Sequence, residues 1–236
     1  MKTVYVYNNA TTAIAPEVLE VMQPYFTRDY FNPSSMYDAA RSPAEAIRSA
    51  RETVARCLGG IDPAQLLFTG SATESNNAAI FGAVQANPAR RHVITTAVEH
   101  PSVLEIGKEL DRRGLDVTFL PVDGHGEISI DAFVKALRSD TLLVSVMMAN
   151  NETGVCYPVA ELARIAKQTD QEIVVHTDAT QALGKLPVDL QGDLQHVDLL
   201  SFSGHKIHAP KGVGCLFVRR GTRWRPFILG AHQAKA

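Results

Sequence analysis

Cysteine is scarce in this chain: three residues in 236, namely Cys57, Cys156 and Cys215. The number is odd and no pair has CxxC spacing, which argues against a disulfide framework and against a thiolate zinc site. No H-x-x-x-H or H-E-x-x-H spacing occurs either, so no metal site is expected. Neither sign of charge is in surplus, with 23 Lys and Arg against 25 Asp and Glu and a net charge of -2. That balance excludes an electrostatic footprint for nucleic acid and a polybasic membrane anchor. No apolar run is long enough to span a bilayer, and the first residues carry no leader pattern. There is no internal repeat and no low-complexity linker. The expectation is a cytoplasmic protein with neither a nucleic-acid nor a membrane partner.

What is present is a core. Hydrophobic residues make up 45% of the chain, and the length suits one large domain with an appendage at most. Short apolar runs alternate with amphipathic segments. Helices are predicted over Ser42 to Leu58 (Ser42 as cap, Pro43 first in the helix), Thr73 to Gln85, Ser102 to Arg113 (capped by Ser102), Ile130 to Arg138 (opened by Ser129 or Asp131) and Val159 to Gln168. Strands are predicted over Leu66 to Phe68, His92 to Thr96, Val117 to Pro121, Thr141 to Met148, Ile173 to Thr177, Leu199 to Phe202 and Val213 to Val218. Strand-helix alternation implies an α/β fold with a mainly parallel sheet covered on both faces. Ligands of such sheets sit beyond the carboxyl ends of the strands.

Five polar clusters fall at those ends: Gly70 to Thr73, Glu99-His100, Asn150-Asn151, Asp178 to Gln181, and Ser203 to Lys206. A lysine that ends an apolar strand is a poor solvated charge. In a desolvated pocket Lys206 becomes a neutral amine able to attack an aldehyde, although most lysines are simply exposed. Asp178 ends another strand and can pair with a protonated ring nitrogen, or merely cap the next helix. Gln181 can reach the same ligand as a neutral donor. Gly70-Ser71-Ala72-Thr73 opens a helix and can cradle an anion, but it lacks the lysine of a Walker loop. His100 can stack on an aromatic group and move protons, or be a satisfied structural histidine. His205 can donate to a phosphate. Cys57 and Cys215 read as buried structural thiols, while Cys156 lies nearest the clustered polar residues.

Together these residues resemble a known family. Ser201-Phe202-Ser203-Gly204-His205-Lys206, followed by Pro210-Lys211-Gly212-Val213-Gly214, is similar to the lysine segment of the cysteine desulfurases, the NifS/IscS-type class V aminotransferases. Asn9-Ala10-Thr11-Thr12, Asn32-Pro33-Ser34-Ser35, Phe68 to Asn77, Glu99-His100, Asn150 to Gly154 and Asp178 to Gln181 match in order and spacing. The resemblance implies the large domain of a fold-type I pyridoxal-phosphate (PLP) transferase with a seven-stranded, mainly parallel sheet. Residues 1–15 would form an N-terminal arm and residues 16–236 the cofactor-binding domain. It implies that Lys206 forms a Schiff base with pyridoxal 5'-phosphate and moves the substrate proton, with Asp178 on the pyridine nitrogen. Gln181 and Asn151 would contact the ring oxygen and substrate side. His100 would stack on the ring and serve as acid and base. Thr73, Ser203, His205 and the backbone of Ala72 would hold the phosphate. The substrate implied is L-cysteine, converted to L-alanine with the sulfur kept as a persulfide.

Three departures accompany the match. Gly70-Ser71 reverses the usual Ser-Gly order. The segment Leu229 to Ala236 begins like a glycine-rich family segment and then diverges, and the family continues beyond it. The small C-terminal domain, with the sulfur-accepting cysteine and the carboxylate-binding arginine, is expected to be absent. Either a homodimer or a complementing C-terminal polypeptide, and a sulfur-acceptor or scaffold protein, are therefore expected partners. A different PLP lyase or aminotransferase on a small amino acid, and a non-catalytic protein of the same fold, remain open.

Overall fold

The computed structural model describes residues 4–226, 228 and 229. Of the family-like segment expected from Leu229 to Ala236, everything from Gly230 onward lies outside the described residues. The chain opens with two short helices, α1 (Pro16–Met22) and α2 (Pro24–Thr27), and a long one, α3 (Arg41–Cys57). Strands and helices then alternate: β1 (Leu66–Thr69), α4 (Ala72–Ala86), β2 (His92–Thr96), α5 (Pro101–Arg112), β3 (Asp116–Leu120), α6 (Ile130–Ala136), β4 (Thr141–Ser145), α7 (Val159–Thr169), β5 (Val174–Asp178), β6 (Leu199–Ser203) and β7 (Gly214–Val218). The seven strands lie in the order β1-β7-β6-β5-β4-β2-β3. β2, β3, β4, β5 and β6 pair in parallel, and β7 runs antiparallel to both β6 and β1.

The apolar runs of the strands explain the layering. Side chains of a strand alternate between faces, and here both faces are dry. Val93, Leu143, Val174, Leu199 and Leu216 meet α4 and α5 through Ala79, Ala83, Val103, Ile106 and Leu110. Their neighbours Ile94, Val144, Val175, Leu200 and Phe217 meet α6 and α7 through Phe133, Leu162, Ala163 and Ala166. Double burial of this kind is the signature of a parallel sheet sandwiched by helices. Among the described residues no helix is long and apolar enough to cross a membrane.

Several expectations need correction. α3 is not capped by Ser42: it runs on from a 3-10 turn at Asp38–Ala40, with Ala40 at the cap position and already in helical geometry. Pro43 is tolerated because the first-turn N–H groups have no intrahelical partner. Nor is α5 capped by Ser102. It starts at Pro101, and His100 is the cap, its ring accepting the Ser102 N–H. The regular part of β4 ends at Ser145, short of Met148, although the backbone goes on bonding to β5 (Val146 N to His176 O, 3.2 Å; Met148 N to Asp178 O, 2.9 Å). α6 stops at Ala136, and the α1 and α2 turns were not anticipated. Cys57 is exposed rather than buried. Ala55 and Leu58, three residues apart, take the inward face of the helix end, and this turns Cys57 outward.

Leu200 is wholly buried in the inner strand β6. Leu200→Ala should lower the unfolding free energy by about 2–5 kcal/mol, measured by chemical denaturation; a loss under 1 kcal/mol would contradict the packed double layer.

Candidate active site

The parallel strands put their carboxyl ends on one rim, and a cleft of about 680 Å³ opens there. Ala72, Thr73, His100, Asn151, Asp178, Gln181, Ser203, His205 and Lys206 all line it. Because β7 is reversed, its first residues reach the same rim, and Lys211 and Gly212 also line the cleft. Gly214 is needed at that point: a Cβ there would lie 2.5 Å from the carbonyl carbon of Ser71.

Lys206 closes a 3-10 turn, Gly204–Lys206, directly after β6. Its Nζ donates to the carbonyls of Asn9 (2.5 Å) and Ala10 (2.7 Å). Burial lowers its pKa from the usual lysine range, Lys185 adds to the effect and Asp178 opposes it. Asp178 ends β5 at 6% exposure. Its Oδ1 accepts the Thr180 N–H (2.9 Å) and its Oδ2 accepts the Asn76 amide (2.7 Å). Gln181 donates to the Asn9 carbonyl (2.8 Å) and accepts from Lys185 (2.9 Å). Asn151 accepts the Asn9 amide at its carbonyl (2.7 Å). His205 pairs through Nδ1 with Thr11 Oγ1 (3.1 Å), and its pKa is lowered by burial, then by Lys206 and Lys211. Ser203 is buried and donates weakly to the Val213 carbonyl (3.4 Å).

At the start of α4 the Ser71 hydroxyl accepts the Glu74 N–H (3.1 Å), while the Glu74 carboxylate takes the Gly70 N–H (2.8 Å). This reciprocal cap accounts for the reversed Gly-Ser order. Ser71 sits in extended backbone at φ -172°, which any residue adopts, so its side chain brings no strain. The remaining first-turn N–H groups, at Ala72 and Thr73, lie at the cleft end of a 15-residue helix and suit an anion.

Some participants were missed from the sequence. Asn9, Ala10 and Thr11 line the cleft, although they were noted only as a matching motif. Asn76, which holds Asp178, is wholly buried and was quoted only inside the Phe68 to Asn77 match. Ser102 also lines the cleft. Cys156 does not reach it: its side chain is exposed, with Sγ 3.7 Å from the Gly154 carbonyl. Cys215 is buried, and burial pushes its thiol up to about 12.

Residues 4–236 match the family described as Aminotransferase class-V. The chain belongs to the class-V aminotransferase family. Its fold is that of the NifS-like fold-type I enzymes. A solved NifS-like protein superposes with a TM-score of 0.94 at 40% identity, over 98% of this chain and 63% of that one. A structure titled "SspA in complex with cysteine" gives 0.92 at 37%, over 99% and 67%. The cysteine desulfurase of Trichormus azollae is 46% identical over 235 residues, covering 100% of this chain and 58% of that protein. The chain thus spans about 58–60% of the curated relatives it matches.

Behind the rim lies a buried acid. Glu99 is 3% exposed; Oε1 accepts from Thr96 Oγ1 (2.9 Å) and from the Met147 N–H (3.0 Å), and Oε2 has no partner. Burial pushes its carboxyl up to about 8. The folded state therefore binds this proton more tightly than the unfolded chain does. Stability present below the ordinary carboxylate pKa is lost as pH rises toward 8. Glu99→Gln removes that loss. The stability difference between variant and wild type should shift in favour of the variant by a few kcal/mol from pH 5 to pH 8, measured by denaturation at each pH. A difference independent of pH would mean that Glu99 is ionised in the fold.

Proposed function

We propose that this chain is the cofactor-binding part of a PLP-dependent cysteine desulfurase. The observation that carries the reading is the convergence, in one cleft, of a partly desolvated lysine, a buried strand-end carboxylate and a helix N-terminus. The three suit the three ends of pyridoxal 5'-phosphate: Lys206 the aldehyde, Asp178 the ring nitrogen, the start of α4 the phosphate. When bound, the cofactor supplies an electrophilic carbon and an electron sink. The chain's own residues do the rest. Lys206 Nζ, made less basic by burial, would hold the aldehyde end of the cofactor and, as a free amine, could carry the substrate proton. Asp178 stabilises positive charge on the ring nitrogen, its plane held by Thr180 and Asn76. Thr73, Ser203, His205 and the N–H of Ala72 take the phosphate. Gln181 and Asn151 offer neutral groups to the ring oxygen and the substrate. His100, which lines the cleft, would pack over the ring and exchange protons with the substrate.

L-Cysteine as substrate is supported by the desulfurase relatives and by the neighbour solved with cysteine. The sulfur leaves as a persulfide on an acceptor thiol, with L-alanine as the other product. None of the three cysteines lines the cleft, and the sequence holds no other, so the acceptor thiol belongs to polypeptide outside these 236 residues. Val6, Val21, Phe26, Tyr30 and Met36 are exposed around the N-terminal helices. Apolar surface of this extent suits a covering partner, either a second copy or a polypeptide that completes the enzyme.

Two measurements test this. Wild type mixed with pyridoxal phosphate should develop a visible absorbance band, and borohydride should fix the cofactor on the peptide bearing Lys206, read by mass spectrometry. Lys206→Ala should lose both, and a label on any other lysine would refute the assignment. Assayed with an added thiol acceptor and against wild type, Asp178→Asn should still bind the cofactor but lose alanine formation by at least about a hundredfold (on the order of 3 kcal/mol). Turnover at the wild-type rate in that variant would remove Asp178 from the ring nitrogen.

A further inference from the structure

We infer that Asn76 and Ser102 are positioning residues, joining Asp178 to His100 by a hydrogen-bond chain in which Asn76 donates to both Asp178 and Ser102 and Ser102 donates to His100, which leaves the His100 proton on Nε2. The inference deepens the cofactor-site reading and rests on it for its catalytic meaning.

Asn76 is 0% exposed, on the inward side of α4. Its side chain lies 2.7 Å from Asp178 Oδ2. A carboxylate only accepts, so the amide nitrogen must face it, not the amide oxygen. The same nitrogen lies 2.9 Å from Ser102 Oγ, and an amide nitrogen only donates. Ser102 is therefore an acceptor toward Asn76. Its one hydroxyl proton is left for His100 Nδ1, 2.8 Å away. The Ser102 backbone N–H points at that nitrogen as well (3.1 Å). Two donors converge on Nδ1, so the neutral ring must keep its lone pair there and carry its proton on Nε2.

Local sequence enforces this. His100 caps α5, and Pro101, the first helical residue, has no N–H to give. The first backbone donor of the helix is then Ser102, which the cap geometry aims at the ring. Asn76 shows the cost of the arrangement. Its Oδ1 is buried without a partner, an unfavourable state that an asparagine serving packing alone would have no reason to adopt. The chain orients two groups with one set of bonds. Asp178 is held with Thr180 on one oxygen and Asn76 on the other, and His100 presents an N–H donor from its free nitrogen. Neutral His100 thus offers the cleft a hydrogen-bond donor at Nε2 and no lone pair there.

The test reads the tautomer directly, on the chain without cofactor. The protein is labelled with ¹⁵N-histidine and long-range ¹H–¹⁵N spectra are recorded at alkaline pH, with the His100 signals identified by their loss in His100→Gln. Wild type should show the Nε2–H pattern. Ser102→Ala should raise the Nδ1–H fraction several-fold, and Ser102→Thr, which keeps the hydroxyl, should restore the wild-type pattern. Asn76→Ala should shift the tautomer in the same direction and weaken pyridoxal phosphate binding about tenfold. Should that buried variant fail to fold, the half-buried Ser102 variants decide alone. An Nδ1–H or evenly mixed ring in wild type, or an unchanged tautomer in Ser102→Ala, overturns the inference. Failure of pyridoxal phosphate to label Lys206 in wild type would instead overturn the cofactor reading, leaving the tautomer result standing.

Discussion

The carboxylate of Asp178 is the group around which the rim of this molecule is organised. It ends the central strand β5 at 6% exposure, where a charge survives only if its lone pairs are met. Thr180 and Asn76 meet two of them. Asn76 reaches the carboxylate from α4, which packs on the sheet through Ala79 and Ala83 and brings its N-terminus to the same rim. One buried charge therefore ties a carboxylate site to an anion site. His176, two residues earlier on β5, shows the other response to burial. Between Ser145 and Ser201 it makes two hydrogen bonds, and burial holds its pKa down at about 4, so it stays neutral beneath the charged rim.

A second constraint comes from the segment before α1. Its carbonyls at Asn9 and Ala10 take the Lys206 ammonium, and Asn9 also bonds Gln181 and Asn151. Thr12 bonds the His205 carbonyl through both its N–H and its hydroxyl. Residues far apart in sequence thus form one wall of the cleft. Without that wall the lysine would face water and keep its full basicity.

Much of this was legible in the chain. The inner strands were readable as short, largely apolar runs buried on both faces, and the alternation with helices implies a parallel sheet. The five polar clusters at strand ends implied a common rim, and each sends at least one residue to one cleft, while Glu99 and Asn150 are buried away from it. Boundaries were less legible where a side chain does the work of a cap. Ser102 looked like the cap of α5 because serine is a common cap, yet His100 takes the place because its ring can accept the Ser102 N–H. Cys57 looked buried because free cysteines usually are, but at the end of α3 the neighbours Ala55 and Leu58 claim the core.

By itself the sequence determined the fold class, the order of the elements from α3 onward and the chemical identity of the groups on the rim, since all three are written in hydrophobic period and local motif. Only the tertiary structure decided which groups touch. Asn76 on α4, Ser102 on α5 and Asp178 on β5 are separated by 26 and 102 positions in the pairs that bond, and no local pattern links them. Packing of two helices on one face of the sheet brings them together. The direction of their hydrogen bonds, which sets the state of His100, exists only once that packing has formed.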